Sequence, residues 1–396
     1  MRRLMCSLMR SYKLAEKIID ERDIAKLTAW LRKNPQLTKG ELTPRFEKAW
    51  AEWVGTKYAV FCNSGSSANL LMAYAALISG QLRNKKVIVP SVGWVTTIAP
   101  FMQFGFEPIM CGADKDTFAL DPNELETLLK KHKAGSVILV QVLGVPAVIE
   151  PLKELQKKYD FFFMEDACAA LGAEYAGKKV GSFSDMSSFS FFFGHQLSTI
   201  EGGMVNTNDK NLYNLLLMLR SHGWGKDIES KARAAMMKKY KIDQFHQPFT
   251  FFVPGFNLRS TDLNAYLGLG QMEKADAVTT IRRNNHLVYA NNLNHVGFQK
   301  WNERALPCSI SFGALARDTK HRKKIVTALI NNGVETRLFS AGNLGRHPFW
   351  FEKYGEFHQD VADRVHDTGF FLPNNESLKE KDVKFICEVV NSVSAS

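Results

Sequence analysis

The chain has 396 residues, of which 45% are hydrophobic and 23% charged, and a formal charge of +11. This is ordinary soluble composition, long enough for one large domain and one smaller one, and no apolar run reaches the roughly 18 residues that cross a bilayer. The positive charge favours anionic partners such as phosphates and nucleotides, whereas the scatter of the basic residues argues against a nucleic-acid surface and, with no apolar span, against a membrane.

Met1 to Lys13 is Arg-rich, lacks acids and has no apolar core of signal-peptide length, so it reads as an ordinary N-terminal helix. Short apolar runs then alternate with amphipathic stretches. Strands are expected at 58–62, 86–90, 107–111, 136–142, 161–166, 187–193 and 203–206, with helices at 67–79, 123–131 and 151–159. Strand–helix alternation at this spacing predicts an α/β fold with a mainly parallel seven-stranded sheet. Residues 225–247 are polar and basic and read as a surface excursion. One or two helices follow over 262–292, and residues 294–396 mix short strands with helices. The expected division is a large α/β domain, 1–255, and a smaller α+β domain, 256–396. The six cysteines form no C-x-x-C pair, which speaks against zinc or a disulfide framework and for a reducing, cytoplasmic compartment.

Four segments carry chemistry. Asn63 to Asn69 (NSGSSAN) follows a strand and opens a helix, so small residues let backbone N–H groups approach an anion at a helix N-terminus; alone it is equally a capped helix start. Trp94 lies just past another strand and offers an indole to a flat ring, although such a residue is often core. Asp166 ends an apolar strand, where open α/β sheets bind ligands, and can pair with a cationic ring nitrogen or simply cap a helix. Finally, a strand delivers Ser190 and then His195, ahead of a Gly202-Gly203 turn into the next strand.

These segments together resemble the DegT/DnrJ/StrS family of sugar aminotransferases, fold-type-I enzymes dependent on pyridoxal 5′-phosphate (PLP). Ser64–Asn69 matches the family's S-G-S/T-x-A-N, and Glu165–Ala167 its E-D-A. Ser190–Gly203 matches S-F-x-x-x-K-x-x-x-x-x-E-G-G, with His195 in the place of the lysine. Gly255–Arg259 matches G-Y/F-N-x-R, and Val334–Arg337 matches V-x-T-R. The histidine is similar to one branch, the 3-dehydratases of nucleotide-linked 4-keto-6-deoxy sugars. One kind in that branch takes GDP-4-keto-6-deoxymannose. The other takes a CDP-linked sugar and holds an iron–sulfur cluster ligated by an inserted cysteine-rich stretch; residues 221–250 contain no cysteine, so no metal is expected.

The resemblance implies a role for each matching residue. Gly65, Ser66 and Ser190 bind the cofactor phosphate, Trp94 stacks on its ring, and Asp166 pairs with the ring nitrogen. Asn257 reaches the phosphate from the neighbouring subunit of a homodimer with shared sites. His222, Arg259 and Arg337 are candidates for the nucleotide-sugar. A lysine at 195 would bond covalently to PLP; histidine cannot, which leaves the amine form, pyridoxamine 5′-phosphate (PMP), free to act. His195 then serves as the acid–base group that removes the C3 hydroxyl in 3,6-dideoxysugar biosynthesis, with L-glutamate regenerating PMP. Ala169 departs from the family, which has Gln or Glu there near the ring hydroxyl. The alternatives are an aminotransferase-like enzyme of different reaction and a non-catalytic cofactor-binding relative.

Overall fold

The computed structural model describes residues 10–394. Most of the N-terminal helix expected over 1–13 lies outside them. Residues 10–20 contain no helix: Tyr12 bridges to Val334, and the first helix is Glu21–Leu31.

The strands are β1 (Tyr58–Cys62), β2 (Lys86–Pro90), β3 (Glu107–Cys111), β4 (Ser136–Val140), β5 (Phe162–Asp166), the short β6 (Glu174–Tyr175) and β7 (Lys178–Lys179), β8 (Met186–Ser190), β9 (Gly203–Thr207), β10 (Gly297–Phe298), β11 (Ala305–Leu306), β12 (Ser311–Leu315) and β13 (Gly369–Pro373). Seven of them form one sheet in the order β1-β9-β8-β5-β4-β2-β3. Only β9 runs antiparallel to its neighbours; the other six are mutually parallel. β4, β5, β8 and β9 are buried along their whole length between helices; β4 (SVILV) is a nearly continuous apolar run, whereas β8 (MSSFS) and β9 (GMVNT) also bury serine, asparagine and threonine. The expected strands at 136–142 and 187–193 stop earlier than the apolar pattern. Val142–Gly144 turns with Leu143 at φ 54°, and beyond Ser190 the chain leaves the sheet with Phe192 and Phe193 turned partly to solvent.

The basic excursion carries a helix, Ser230–Tyr240, with no buried residue, as its polarity on all faces requires. The helices Asp262–Met272 and Ala275–Asn292 follow. The Asp262 carboxylate accepts from the backbone of Gly40, Leu42 and Thr43, and so caps the start of the helix Leu42–Val54, whose own preceding residue Glu41 supplies no side-chain cap. The last part of the chain builds an antiparallel sheet, β10-β12-β13, packed around Tyr289, Phe312, Ile325 and Leu372. No helix among the described residues is long and apolar enough to cross a membrane.

Candidate active site

Because β1, β2, β5 and β8 are parallel, their carboxyl ends open on one edge of the sheet, and each delivers a residue there. Beyond β1, Ser64 caps the helix Gly65–Ile78 by accepting from Ser67 N at 3.0 Å, which leaves the first backbone N–H groups of that helix free for an anion. Beyond β2, Trp94 heads the helix Val95–Gln103 and is 56% exposed, an unusual position for an indole. At the end of β5 stands Asp166, and at the end of β8 Ser190, each 5% exposed. His195 follows Ser190 in the connection to β9.

Two glycines set how closely these parts approach. A Cβ on Gly65 would sit 2.5 Å from the Ser190 Cβ and 2.9 Å from its Oγ, so the helix start and the hydroxyl share one cradle that only glycine permits. A Cβ on Gly203 would sit 2.0 Å from the Ser64 carbonyl oxygen, so the Gly202-Gly203 turn presses against the same cradle from β9.

Asp166 is held by groups that sequence reading did not single out. Its Oδ2 accepts from Asn69 Nδ2 at 2.8 Å and Thr97 Oγ1 at 2.6 Å, and its Oδ1 from Cys168 N at 3.1 Å. Asn69 is fixed in turn by the Ser188 hydroxyl, which donates to its Oδ1 at 2.6 Å. Asn69 ends the small-residue motif and Thr97 lies one helical turn after Trp94; both positions could have flagged them, since each faces the same strand ends.

His195 is half-buried, and its Nδ1 is buried without a hydrogen-bond partner. Burial pushes its pKa down to about 4; the Asp166 carboxylate pulls upward, while Arg282 and Arg337 add to the lowering. The imidazole is therefore neutral near pH 7, the form in which it can accept a proton.

The remaining expected residues make their side-chain contacts elsewhere. His222, at φ 60°, donates its backbone N–H to the Phe256 carbonyl at 2.6 Å, and its ring lies 4.7 Å from that of Trp224. Arg259 packs its guanidinium 5.9 Å over Trp224 and donates to Asn257 Oδ1 at 3.1 Å. Asn257 and Arg259 thus engage each other rather than the cradle of their own chain, although Cys62 bridges to Arg259 at the end of β1. Arg337 lies 5.2 Å over the Phe371 ring, in the C-terminal part, and faces His195 only through its charge. Ala169 has no polar side chain to offer a ligand; its carbonyl accepts from Gln196 Nε2. The described cysteines are all free, and no cluster of metal-binding side chains exists among the described residues.

An anion cradle, an exposed indole, a carboxylate held by three donors and an orphaned imidazole nitrogen fit a flat, phosphorylated ring with a cationic nitrogen. Known proteins agree. Residues 17–391 match the model of the DegT/DnrJ/EryC1/StrS aminotransferase family. GDP-4-keto-6-deoxy-D-mannose 3-dehydratase of Yersinia pseudotuberculosis is 29% identical over 98% of this chain and all of its own length. GDP-perosamine synthase of Escherichia coli O157:H7 is also 29% identical, over 89% of this chain and 90% of its own. The solved structure of E. coli GDP-4-keto-6-deoxy-D-mannose-3-dehydratase with bound hydrated PLP superimposes with a TM-score of 0.87 at 26% identity, covering 96% of this chain and 100% of that one. The chain has the fold-type-I architecture of PLP-dependent enzymes and belongs to the DegT/DnrJ/EryC1/StrS aminotransferase family.

Proposed function

We propose that this protein is a PLP/PMP-dependent 3-dehydratase of a nucleotide-linked 4-keto-6-deoxyhexose, a lyase rather than an aminotransferase. The observation that carries the reading is His195. The whole β8–β9 connection, residues 191–202, contains no lysine, and the side chain at 195 is a neutral imidazole beside Asp166. Its similarity to dehydratases over nearly its full length agrees with this reading.

When bound, the cofactor supplies an amine for the 4-keto carbon and a ring that withdraws electrons from it. The chain does the rest. Gly65 and Ser66 N–H groups and the Ser190 hydroxyl bind the phosphate, and Trp94 stacks on the ring. Asp166, fixed by Asn69 and Thr97, keeps the ring nitrogen protonated. His195 would be the base that accepts a proton in the reaction and the acid that returns it to the departing C3 hydroxyl. Asn257 completes the phosphate site of the partner subunit, and His222, Arg259 and Arg337 face the nucleotide-sugar. L-Glutamate restores the amine.

The test is incubation with GDP- and CDP-linked 4-keto-6-deoxyhexoses, PLP and glutamate. A dehydratase releases ammonia and a sugar one oxygen lighter; an aminotransferase leaves the nitrogen on the sugar, and that product would overturn the assignment. A binding protein yields neither.

Two results follow from the site itself. Gly65→Ala places a methyl against Ser190, an overpacking that costs about 1–3 kcal/mol. Because that strain falls on the cradle, PLP retention after dialysis, read by absorbance, is expected to fall about tenfold or more. Unchanged retention would show that the phosphate lies elsewhere. Shared sites predict recovery on mixing: an inactive His195 variant and an inactive Asn257 variant, allowed to exchange subunits, regain part of the activity. No recovery after verified exchange would count against the two-chain site.

A further inference from the structure

Gln196 follows His195 and is fully buried. Its Nε2 donates to the Ala169 carbonyl at 2.9 Å and to the Cys308 carbonyl at 3.0 Å. Two carbonyl acceptors decide which end of the amide carries the hydrogens. They come from distant stretches of chain. Ala169 belongs to the turn that begins at Asp166, where Cys168 N donates to Asp166 Oδ1 and Ala170 N to the Ala167 carbonyl. Cys308 belongs to the C-terminal part and is itself pinned: its N–H donates to the Gly144 carbonyl at 2.9 Å, and Ile310 N–H to the Leu143 carbonyl at 3.0 Å. One amide thus joins the β8–β9 connection to the Asp166 turn and to the segment 308–310.

That connection needs such a tie. Phe192 and Phe193 before His195, and Ile200 after it, are 48%, 44% and 50% exposed, so packing holds the connection only through the buried stretch Gln196 to Thr199 that follows His195. His195 N–H bonds only within the tip, to the Phe192 carbonyl, and Nδ1 has no partner. The imidazole meets the Cys168 backbone on the Asp166 turn, and the next residue, Gln196, ties the loop backbone to the same turn. The amide adds little net stability, because its Oε1 is buried without a partner and offsets the two donated bonds. What remains is geometry.

We propose that Gln196 is a positioning residue for His195, its amide holding the imidazole against the Asp166 turn by a clamp between the two parts of the chain. This rests on the reading of His195 as the acid–base group. The proposal gives the loop a non-covalent tether at a place where the side chain forms no covalent one.

Gln196→Met keeps the length and the apolar bulk and removes both donors. The first readout needs no reaction. In cofactor-free protein with ring-labelled histidine, His195 is assigned by the signal lost in His195→Asn. The wild-type ring is expected to titrate near 4. In Gln196→Met the loop loosens, water reaches the ring, and the titration moves toward the ordinary value of about 6.5. The heat-denaturation midpoint is expected to hold. A ring still titrating near 4 would overturn the proposal. The second readout is kinetic. kcat is expected to drop about 10- to 100-fold, the usual loss for a displaced catalytic group, with KM and PLP affinity within about twofold. In a His195→Asn background the same change should cost nothing further, because the residue acts only through His195. Equal losses in both backgrounds would mean general structural support and would also overturn it. A shifted titration in a protein that turns over no 4-keto sugar would remove the dehydratase reading while sustaining the clamp. Gln196→Leu, smaller and also without donors, repeats the measurements should methionine fail to pack.

Discussion

His195→Asn is expected to lower ammonia release about 10²–10⁴-fold, the span of a general acid–base contribution, while PLP stays bound. Asparagine fits the space of the imidazole but neither takes nor returns a proton near neutral pH. The groups read as the cofactor's anchors, Gly65, Ser66, Ser190 and Asp166, are untouched, and so are the bonds from Asn69 and Thr97 that hold Asp166. Absorbance after dialysis separates the two effects from each other. Full dehydration by this variant would show that another group moves the proton. The companion change, His195→Lys, restores an amine where the family's lysine stands. Borohydride should then fix the cofactor to position 195 and leave none on the denatured wild-type chain. Covalent cofactor on the wild type would mean that another lysine anchors it, and would revive the aminotransferase reading.

Arg220→Met should give the largest loss of stability. Arg220 is 1% exposed at its side chain and pairs with Glu47, 7% exposed, and with Asp227 Oδ2 at 3.3 Å. It also donates to the Phe61 carbonyl at 2.9 Å, while Glu47 accepts from Phe61 N–H at 2.8 Å, so the pair satisfies the outer edge of β1 just ahead of the cradle. Removing the guanidinium strands the Glu47 carboxylate in the interior, and breaking a buried pair in this way costs about 3–5 kcal/mol. A second change, Glu47→Leu, removes the stranded charge and should recover part of the loss, the rest being the Phe61 N–H and carbonyl left without partners. Urea midpoints of the single and double variants decide the matter. A double variant no more stable than the single one would place the cost in lost packing.

The sheet was legible where its strands are short apolar runs bounded by helical patterns, and β1, β2 and β3 end at the residues expected. The ends of β4 and β8 were not, because apolar residues such as Val142 and Phe191 bury themselves just as well in turns that leave the sheet. The core of the site was legible through local motifs: Gly65, Ser190, Asp166 and His195 come together at one edge. Its supports were not. Asn69 and Thr97 meet Asp166 from 97 and 69 residues away, and Gln196 meets Cys308 across 112. No periodicity encodes such pairings, since each depends on which strand ends the topology brings side by side.

The position of β9 between β1 and β8 also imposes a timetable on the ribosome. β1 hydrogen-bonds to no strand but β9, from Tyr58↔Thr207 to Cys62↔Gly203, and that partner lies about 150 residues later in the chain. At the usual ~5–20 residues per second, β1 waits roughly 7–30 s after synthesis without its strand partner. The cradle at Gly65 needs Ser190 and Gly203 beside it, so it comes into being only when that wait ends. Nascent chains shorter than about 207 residues should therefore capture no cofactor, and the waiting strand is the natural client for a chaperone during synthesis.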